Sequence, residues 1–268
     1  MALPPPSANT TALVTGASSG IGADIARSLA RRDHGVTLVA RREERLRELA
    51  DELAGQYGVR TETIGCDLAD PAARDRLEAE LGERGLELGV LVNNAGFGSS
   101  GWFRDLERER EVEMVRTNVE AVVDLCGRFV PPMVDRGAGA ILNVASTVAF
   151  QPFPLQATYG ASKAFVLSFT EALSQEIGGK GVTVTALCPG PVKTEFVEKA
   201  GFDESEELGP SLMWTDAADV AEAGVAGLVA GRRVVVPGAF NRVGALAGQH
   251  APRSLLLRVI GRAHPAAK

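Results

Sequence analysis

Seven short apolar segments alternate along this chain with stretches of helical periodicity. Most of these segments are apolar almost throughout, rather than at every second residue, which is typical of strands buried on both faces of a parallel sheet. Between two of them, Leu46, Leu49 and Leu53 form one apolar stripe opposite Glu and Arg, as in an amphipathic helix. The alternation predicts an α/β fold in one domain: a doubly wound, Rossmann-like parallel sheet of about seven strands, in three layers. The predicted strands span residues 12–14, 36–40, 61–65, 90–92, 140–144, 182–187 and 233–236.

Composition and charge narrow the class of protein. The 268 residues carry a formal net charge of −6, which argues against a general nucleic-acid binder. The longest apolar run falls short of the ~18–20 residues that a membrane-spanning helix needs, and residues 1–9 lack the basic start and apolar core of a signal peptide. Cys66, Cys126 and Cys188 lie far apart in apolar surroundings, so we expect buried thiols, no metal site and a reducing, cytoplasmic location.

A glycine-rich turn follows the first predicted strand and opens a helix. Its sequence, TGASSGIG at residues 15–22, places glycines where a backbone must turn tightly and approach a diphosphate closely. The free N–H groups and the positive dipole end of the following helix would face the same anion. Because the turn lies at the first βα junction, we interpret it as a dinucleotide-phosphate site rather than a turn without a ligand.

A tyrosine and a lysine four residues apart indicate proton chemistry. In a helix, Tyr159 and Lys163 would lie one turn apart on the same face. A nearby ammonium favours the phenolate, so we expect Lys163 to lower the pKa of Tyr159 and let it exchange protons near neutral pH. Ser146 follows the fifth predicted strand, at the sheet edge where ligands bind in open α/β folds, and its hydroxyl could donate to a carbonyl oxygen.

Taken in order, these motifs resemble the short-chain dehydrogenase/reductase family over about residues 11–238. The match consists of TGxxxGIG at residues 15–22, NNAG at 93–96, Asn118 in a mid-chain helix, Ser146, the Tyr159–Lys163 pair, and Pro-Gly at 189–190. The resemblance implies an oxidoreductase that interconverts a carbonyl and an alcohol by hydride transfer with a nicotinamide cofactor.

The resemblance implies four catalytic residues, Asn118, Ser146, Tyr159 and Lys163. Tyr159 would give or take the substrate proton, and Lys163 would also bind the nicotinamide ribose. Asn118 would hold a water that links Lys163 to solvent. The neighbouring hydroxyls at positions 147 and 162 rank below Ser146 and Tyr159, because they miss the motif positions.

Cofactor contacts follow from the same resemblance. Asp67 would hydrogen-bond the adenine amino group, residues 93–96 would line the adenine-ribose side, and Thr194 would hold the nicotinamide amide. An alternative for the segment after the third strand is a helix N-cap, a role that suits Asp70 better. The predicted cofactor-binding residues are Gly16, Ser18, Ser19, Gly20, Ile21, Gly22, Arg41, Arg42, Asp67, Leu68, Asn94, Ala95, Gly96, Tyr159, Lys163, Pro189, Gly190, Val192 and Thr194.

The end of the second strand favours NADP(H) over NAD(H). An NAD-selective fold places an acid there to bind the ribose hydroxyls, whereas this chain has Ala40 followed by Arg41 and Arg42. A guanidinium would bind a 2′-phosphate that an acid would repel. The alternative is that both arginines simply begin a solvated helix, paired with Glu44 and Glu43.

Two rival functions are possible for such a chain. A serine hydrolase is disfavoured because no GxSxG turn surrounds Ser146 and the three histidines are poorly placed to serve it. A non-catalytic, cofactor-sensing regulator on the same fold is the second rival, although the complete set of catalytic residues gives no reason to expect an inactive enzyme.

Substrate preference is weakly encoded. In relatives, the segments after Ser146 and before the last helix wall the substrate pocket, and here they carry aromatic and Met side chains, which favour apolar substrates. We expect a hydrophobic ketone or aldehyde, with a 3-oxoacyl thioester as the main alternative. The wall candidates are Phe150, Phe153, Phe196, Phe202, Met213 and Trp214.

Both ends of the chain fall outside the predicted domain. Residues 1–10 form a loose arm, 11–238 the Rossmann-like catalytic domain, and 239–268 a basic amphipathic tail. Within 253–262 a helical wheel groups the apolar residues on one side. This side could lie on an acidic membrane, but we favour its packing on the core or a second subunit, with the arginines near the acidic stretch 203–207. Relatives pair through two mid-chain helices, so a homodimer or homotetramer is expected.

Overall fold

The computed structural model describes residues 3–196, 200 and 213–263, so Phe202 and the stretch 203–207 lie outside it. Its strands are β1 (Thr10–Thr15), β2 (Val36–Ala40), β3 (Thr61–Gly65), β4 (Glu87–Asn93), β5 (Gly139–Val144), β6 (Val182–Leu187) and β7 (Val234–Val235). Its α-helices are α1 (Gly20–Ala30), α2 (Glu43–Tyr57), α3 (Pro71–Glu83), α4 (Arg108–Val115), α5 (Ala121–Asp135), α6 (Ala157–Glu176), α7 (Ala217–Val229), α8 (Ala239–His250) and α9 (Arg253–Ala263).

In the described part of the chain, the seven strands form one parallel sheet in the order β3-β2-β1-β4-β5-β6-β7. The predicted fold class is therefore confirmed. Strands β2, β3 and β6 match their predicted bounds, while β1 and β4 extend beyond the apolar runs from which they were predicted. The strand order reverses between β1 and β4, and this reversal opens a crevice at their carboxyl ends.

Two buried apolar clusters cover the faces of the sheet. Helices α1, α2 and α7 supply one cluster, in which Leu29, Leu46 and Val225 are fully buried. Helices α3, α5 and α6 supply the other, which includes Leu77 and Leu125. This is the predicted three-layer arrangement, and it leaves the strand ends free to carry polar groups.

Local sequence signals set several helix boundaries. Asp70 caps α3, since its side chain accepts a hydrogen bond from the N–H of Ala72, and Pro71 occupies the first helical position. The predicted N-cap role of Asp70 is thus confirmed. The mid-chain helix is interrupted by a π-helical turn, Arg116–Glu120, in which the N–H of Ala121 donates to the carbonyl of Arg116.

A buried polar chain ties β4 and β5 to α6. Asn93 Nδ2 donates to Asn143 Oδ1 at 2.8 Å, and Asn143 Nδ2 donates to Thr170 Oγ1 at 3.0 Å. The two asparagines face each other in the parallel register. Because α6 also carries Tyr159 and Lys163, this network fixes their helix against the sheet.

The C-terminal segment forms two helices. The predicted helix near 253–262 is present as α9, whereas α8 was not anticipated. Asn241, Ala245 and Gly248 make the buried stripe of α8. No helix in the described ranges has the length and apolar character needed to cross a bilayer.

Candidate active site

A cavity of about 550 Å³ lies at the carboxyl ends of β1, β4, β5 and β6. Ser146, Tyr159 and Lys163 line it, whereas Asn118 does not and instead contacts the lining residue Phe97. Of the predicted cofactor residues outside the catalytic set, the cavity is lined by Gly16, Ser19, Gly20, Ile21, Asn94, Ala95, Gly96, Pro189, Gly190, Val192 and Thr194.

The glycine turn is built around the side chain of Asn94. Gly16 has φ +65°, and a Cβ there would lie 2.8 Å from Asn94 Nδ2. A Cβ on Gly22 would lie 2.4 Å from the same atom and equally close to the carbonyl oxygen of Gly16. Glycine at both positions lets Asn94 Nδ2 donate to the carbonyl of Thr15 at 3.0 Å.

The hydroxyl of Thr15 joins the turn to β4. It accepts from the N–H groups of Asn94 and Ala95, both at 3.0 Å, and donates to the carbonyl of Val92 at 3.1 Å. On the other side, a Cβ at Gly20 would lie 3.0 Å from the Thr194 methyl group. The turn is therefore held between the ends of β4 and the segment after β6, which leaves the start of α1 facing the cavity.

Arg42, rather than Arg41, reaches the glycine turn. Its Nη2 donates to Ser18 Oγ at 3.0 Å and to Ser19 Oγ at 2.9 Å. Arg41 points away and forms an exposed ion pair with Glu113 at 3.2 Å.

The alternative pairing of these arginines with Glu44 and Glu43 is wrong. Arg42 pairs across the groove with Glu195 at 2.9 Å, because its guanidinium extends towards the glycine turn. Glu43 instead pairs with Arg47, one turn further along α2.

Asp67 and Leu68 lie outside the cavity lining. Asp67 is exposed, and its carboxylate accepts from the N–H of Ala69 at 3.0 Å. Leu68 is buried in the core, where its carbonyl accepts from Arg74 at 2.6 Å. Val192 is buried and forms a short parallel bridge with Thr215.

Three of the predicted catalytic residues, Ser146, Tyr159 and Lys163, are brought together by β5 and α6. Lys163 Nζ donates to the carbonyl of Val144, the last residue of β5, at 2.8 Å. Ser146 Oγ donates to the carbonyl of Pro189 at 3.4 Å and accepts from the N–H of Val148 at 3.3 Å. Tyr159 is one helical turn from Lys163, as predicted, and both side chains are buried.

Asn118 occupies the π-helical turn between α4 and α5. Its Nδ2 donates to the carbonyl of Phe97 at 3.0 Å and to Ser162 Oγ at 3.1 Å, while its Oδ1 accepts from the N–H of Phe97. Ser162 Oγ in turn donates to the carbonyl of Tyr159 at 2.7 Å. A Cβ on Gly96 would lie 2.8 Å from Asn118 Oδ1, so glycine permits this close approach.

The expected lowering of the Tyr159 pKa is wrong for this structure. Burial raises the pKa of Tyr159 to about 12, with a hydrogen bond to Ser146 acting in the opposite direction. Burial also lowers the pKa of Lys163 to about 8. Lys163 Nζ lies 5.9 Å from the Tyr159 ring centroid and bonds to a carbonyl, so its attraction does not offset the desolvation of a phenolate. Tyr159 is therefore held in its acid form.

The walls of the cavity confirm only part of the predicted aromatic set. Phe153, Phe196 and Met213 line it, but Phe150 and Trp214 do not. Phe150 packs instead against the buried cluster to which α3, α5 and α6 contribute.

Sequence reasoning missed the cavity residues from the C-terminal helices. Asn241 and Ala245 of α8, with Val259 and Ile260 of α9, line the cavity. The side-chain Nδ2 of Asn241 donates to the carbonyls of Met213 and Pro237 at 3.0 and 3.1 Å. The apolar periodicity near 253–262 indicated a packed helix, but nothing in the sequence indicated where it packs.

Comparison with known proteins identifies relatives over most of the chain. The family model described as short chain dehydrogenase matches residues 10–205. The very-long-chain 3-oxoacyl-CoA reductase of Anas platyrhynchos is 37% identical over 206 residues, which cover 74% of this chain and 65% of that protein.

Solved structures share the fold as well. A short-chain dehydrogenase from Sphingobium yanoikuyae in complex with NADPH is 35% identical, with a TM-score of 0.80, and covers 96% of this chain and 98% of that one. The bulky-bulky ketone specific alcohol dehydrogenase from Comamonas testosteroni is 31% identical, with a TM-score of 0.76, and covers 97% and 98%.

Burial of Lys163 predicts a pH-dependent stability. Its pKa falls from 10.5 to about 8 on folding, so between these values the unfolded chain binds more protons and the free energy of unfolding rises with pH. From pH 8 to pH 10 this contribution is about 2 kcal/mol, and Lys163→Met should lack it. Urea unfolding of both proteins at several pH values measures the difference. Lys180→Met, which removes an exposed lysine, is the control, and identical slopes for wild type and Lys163→Met would contradict the prediction.

Proposed function

Because the chain belongs to the short-chain dehydrogenase/reductase family, we propose that it interconverts a hydrophobic ketone or aldehyde and its alcohol with NADP(H), using Tyr159 as acid and base. Family membership confirms the predicted oxidoreductase class and nicotinamide cofactor. It argues against the hydrolase, and NADPH oxidation with a panel of carbonyls distinguishes the enzyme from the non-catalytic sensor. The substrate is argued from the cavity.

One observation carries the proposal: the Ser146 hydroxyl, the Tyr159 phenol and the Lys163 ammonium all line one cavity, which the glycine turn bounds at its other end. Two hydroxyls of this kind can act together on a single carbonyl oxygen. Most of the remaining lining is apolar, although Gln151, Gln156 and Asn241 also line the cavity, so a substrate carbonyl bound against the apolar part would be shielded from water.

The residues at the glycine turn fit a dinucleotide. Gly16, Ser19 and Gly20 line the cavity, and the first turn of α1 receives no side-chain cap from Ser19, which leaves its N–H groups available to an anion. Gly16, Gly20, Ser19 and Asn94 would hold the diphosphate side, while Thr194, Pro189 and Gly190 would border the nicotinamide. When bound, the nicotinamide supplies or accepts the hydride at the substrate carbon.

In the reducing direction, Tyr159 donates its phenolic proton to the substrate oxygen as negative charge develops there. Its raised pKa keeps that proton in place at neutral pH. Ser146 donates a hydrogen bond to the same oxygen, and Lys163 lies one turn away to replace the proton. Asn118 and Ser162 fix the α6 backbone at Tyr159 through the hydrogen bond to its carbonyl.

Arg42 supports the NADP(H) preference. With Ser18 Oγ and Ser19 Oγ, its guanidinium forms a cluster of donors beside the glycine turn, and Ala40 ends β2 without a carboxylate. Such a cluster suits a phosphate dianion. Arg41 lies next to it and could add a second charge.

The cavity walls support an apolar substrate. Phe153, Phe196, Met213 and Ile260 contribute aromatic and aliphatic surface, as expected for a bulky ketone. The alternative, a 3-oxoacyl thioester, is supported by the name of the duck relative. A panel that contains bulky ketones and 3-oxoacyl thioesters separates the two.

We also propose that the chain forms a homodimer or homotetramer. Val112, Val115, Val123 and Phe165, on α4, α5 and α6, are each at least 40% exposed. Four exposed apolar residues on neighbouring helices are suited to pairing with a second copy. Light scattering should therefore show an assembly at micromolar concentration, and a monomer throughout that range would refute this.

The proton donor can be tested with the two tyrosines of the chain. Tyr159→Phe should abolish NADPH oxidation with every active carbonyl while NADPH still binds, because only the acidic hydroxyl is lost. Tyr57→Phe, at the end of α2, is the matched control and should keep wild-type turnover. A Tyr159→Phe protein that retains more than about a tenth of the rate would overturn the assignment.

The arginines should govern the choice of cofactor. Removing a charged hydrogen-bond partner costs roughly 1.5–3 kcal/mol, so Arg42→Ala should raise the NADPH dissociation constant by about tenfold or more and spare NADH. Arg41→Ala should act in the same direction but less, because Arg41 is directed towards Glu113. Arg47→Ala on α2 is the control. Equal affinity of the wild type for both cofactors would refute the NADP(H) preference.

Helix α9 should affect the KM for a bulky ketone. Ile260→Ala removes apolar surface from the cavity wall, at a cost of about 1 kcal/mol, and should raise KM roughly fivefold with little change in NADPH affinity. Leu257→Ala, on the exposed side of the same helix, is the matched control. If instead both variants keep the wild-type KM but lose sedimentation with anionic vesicles, α9 would be a membrane-binding helix.

A further inference from the structure

Glu195 occupies the donor cluster beside the glycine turn. Its carboxylate accepts from Arg42 Nη1 at 2.9 Å and also from Arg45. The same Arg42 guanidinium donates through Nη2 to Ser18 Oγ and Ser19 Oγ. The cluster that would bind a 2′-phosphate therefore already holds an anion, and this anion comes from the far side of the groove, after β6.

We propose that Glu195 determines cofactor affinity by acting as an internal substitute for the 2′-phosphate on Arg42. This inference rests on the proposed preference for NADP(H). When NADPH binds, its 2′-phosphate replaces the Glu195 carboxylate as the partner of the Arg42 guanidinium. NADH lacks the 2′-phosphate and leaves the Glu195–Arg42 pair in place.

The exchange is physically accessible. Glu195 and Arg42 have side-chain exposures of 33% and 37%, so their pair is partly solvated and weak compared with a buried one. A phosphate carries more negative charge than a carboxylate and offers three oxygens to a guanidinium. The 2′-phosphate should therefore displace the Glu195 carboxylate from Arg42. Because the carboxylate has to be displaced, the affinity for NADPH is lower than it would be without Glu195. Arg45 gives Glu195 a second partner to retain after the exchange.

The segment that carries Glu195 also reaches the catalytic tyrosine. On one side of it, Thr194 packs against Gly20 of the glycine turn. On the other, the Phe196 ring centroid lies 5.4 Å from that of Tyr159. Loss of the Arg42 ion pair from Glu195 should therefore alter the environment of the neighbouring Phe196. This change would link the adenosine end of the groove to the catalytic end.

Binding calorimetry of Glu195→Gln tests the proposal without turnover. Two probes, NADPH and adenosine 2′,5′-bisphosphate, carry the 2′-phosphate. The other two, NADH and 5′-AMP, lack it. The variant should bind the two probes with a 2′-phosphate about three to ten times more tightly than wild type does. Its affinity for the two probes without a 2′-phosphate should stay within twofold of the wild-type affinity. The gain should shrink at high salt. Glu52→Gln is the matched control, since it removes an exposed, Arg-paired carboxylate from α2 away from the groove.

Opposite results would overturn the proposal. Equal tightening for all four probes would indicate a general charge effect, and weaker NADPH binding would show that Glu195 holds Arg42 in position for the phosphate. In an Arg42→Gln background, Glu195→Gln should change NADPH affinity less than twofold, because its effect passes through Arg42. A full effect in that background would also overturn it.

The outcome separates this inference from the proposed function. If wild type binds NADH as tightly as NADPH, the NADP(H) preference itself fails. If wild type prefers NADPH but Glu195→Gln leaves that affinity unchanged, only the role of Glu195 fails.

The variant Phe196→Trp tests the link to the catalytic end. The fluorescence of Phe196→Trp, after subtraction of the wild-type signal, should change on adding adenosine 2′,5′-bisphosphate but not 5′-AMP. Adding Glu195→Gln should remove the change. A response to both nucleotides, or to neither, would refute the link.

Discussion

The site depends on a close backbone contact between the ends of β1 and β4. The Asn94 side chain enters the glycine turn because Gly16 and Gly22 lack the Cβ atoms that would exclude it. The Thr15 hydroxyl accepts hydrogen bonds from the backbone N–H groups of Asn94 and Ala95. These bonds close the point at which the strand order reverses. They also set the shape of the groove into which the first turn of α1 opens. A bulkier residue at either glycine would separate the two strands and change every position that follows from their spacing.

The sequence predicts the fold and most of the site, because both depend on short-range patterns. Uniform apolar runs specify buried strands, and the Tyr159–Lys163 spacing specifies one face of α6. It could not predict which guanidinium turns inwards, since Arg41 and Arg42 are adjacent and only the packed structure directs Arg42 to the glycine turn. The pKa of Tyr159 was predicted in the wrong direction for a similar reason: proximity in sequence gives the charge of Lys163, but not the desolvation that outweighs it.

The two halves of the cavity have different origins. The groove and the proposed proton-transfer groups come from strand ends and α6, where backbone position is fixed by the sheet. The apolar wall includes Ala245 of α8, the helix whose Asn241 donates to the carbonyls of Met213 and Pro237, and Ile260 of α9. Substrate shape can therefore change through the C-terminal helices while the cofactor end keeps its geometry. This division explains why motifs predict the chemistry of the chain more firmly than its substrate.

The π-helical turn Arg116–Glu120 joins α4 to α5. The number of residues in this turn is as important for the position of Asn118 as their identity. A π turn contains one residue more than an ordinary turn. Deleting Val119 or Glu120 would restore regular α geometry and rotate Asn118 and α4 by about 100° relative to α5. Asn118 could then keep its identity and still lose Phe97 and Ser162 as partners. In an alignment, a single-residue gap at this point would thus mark a disrupted site, even where every motif letter is retained.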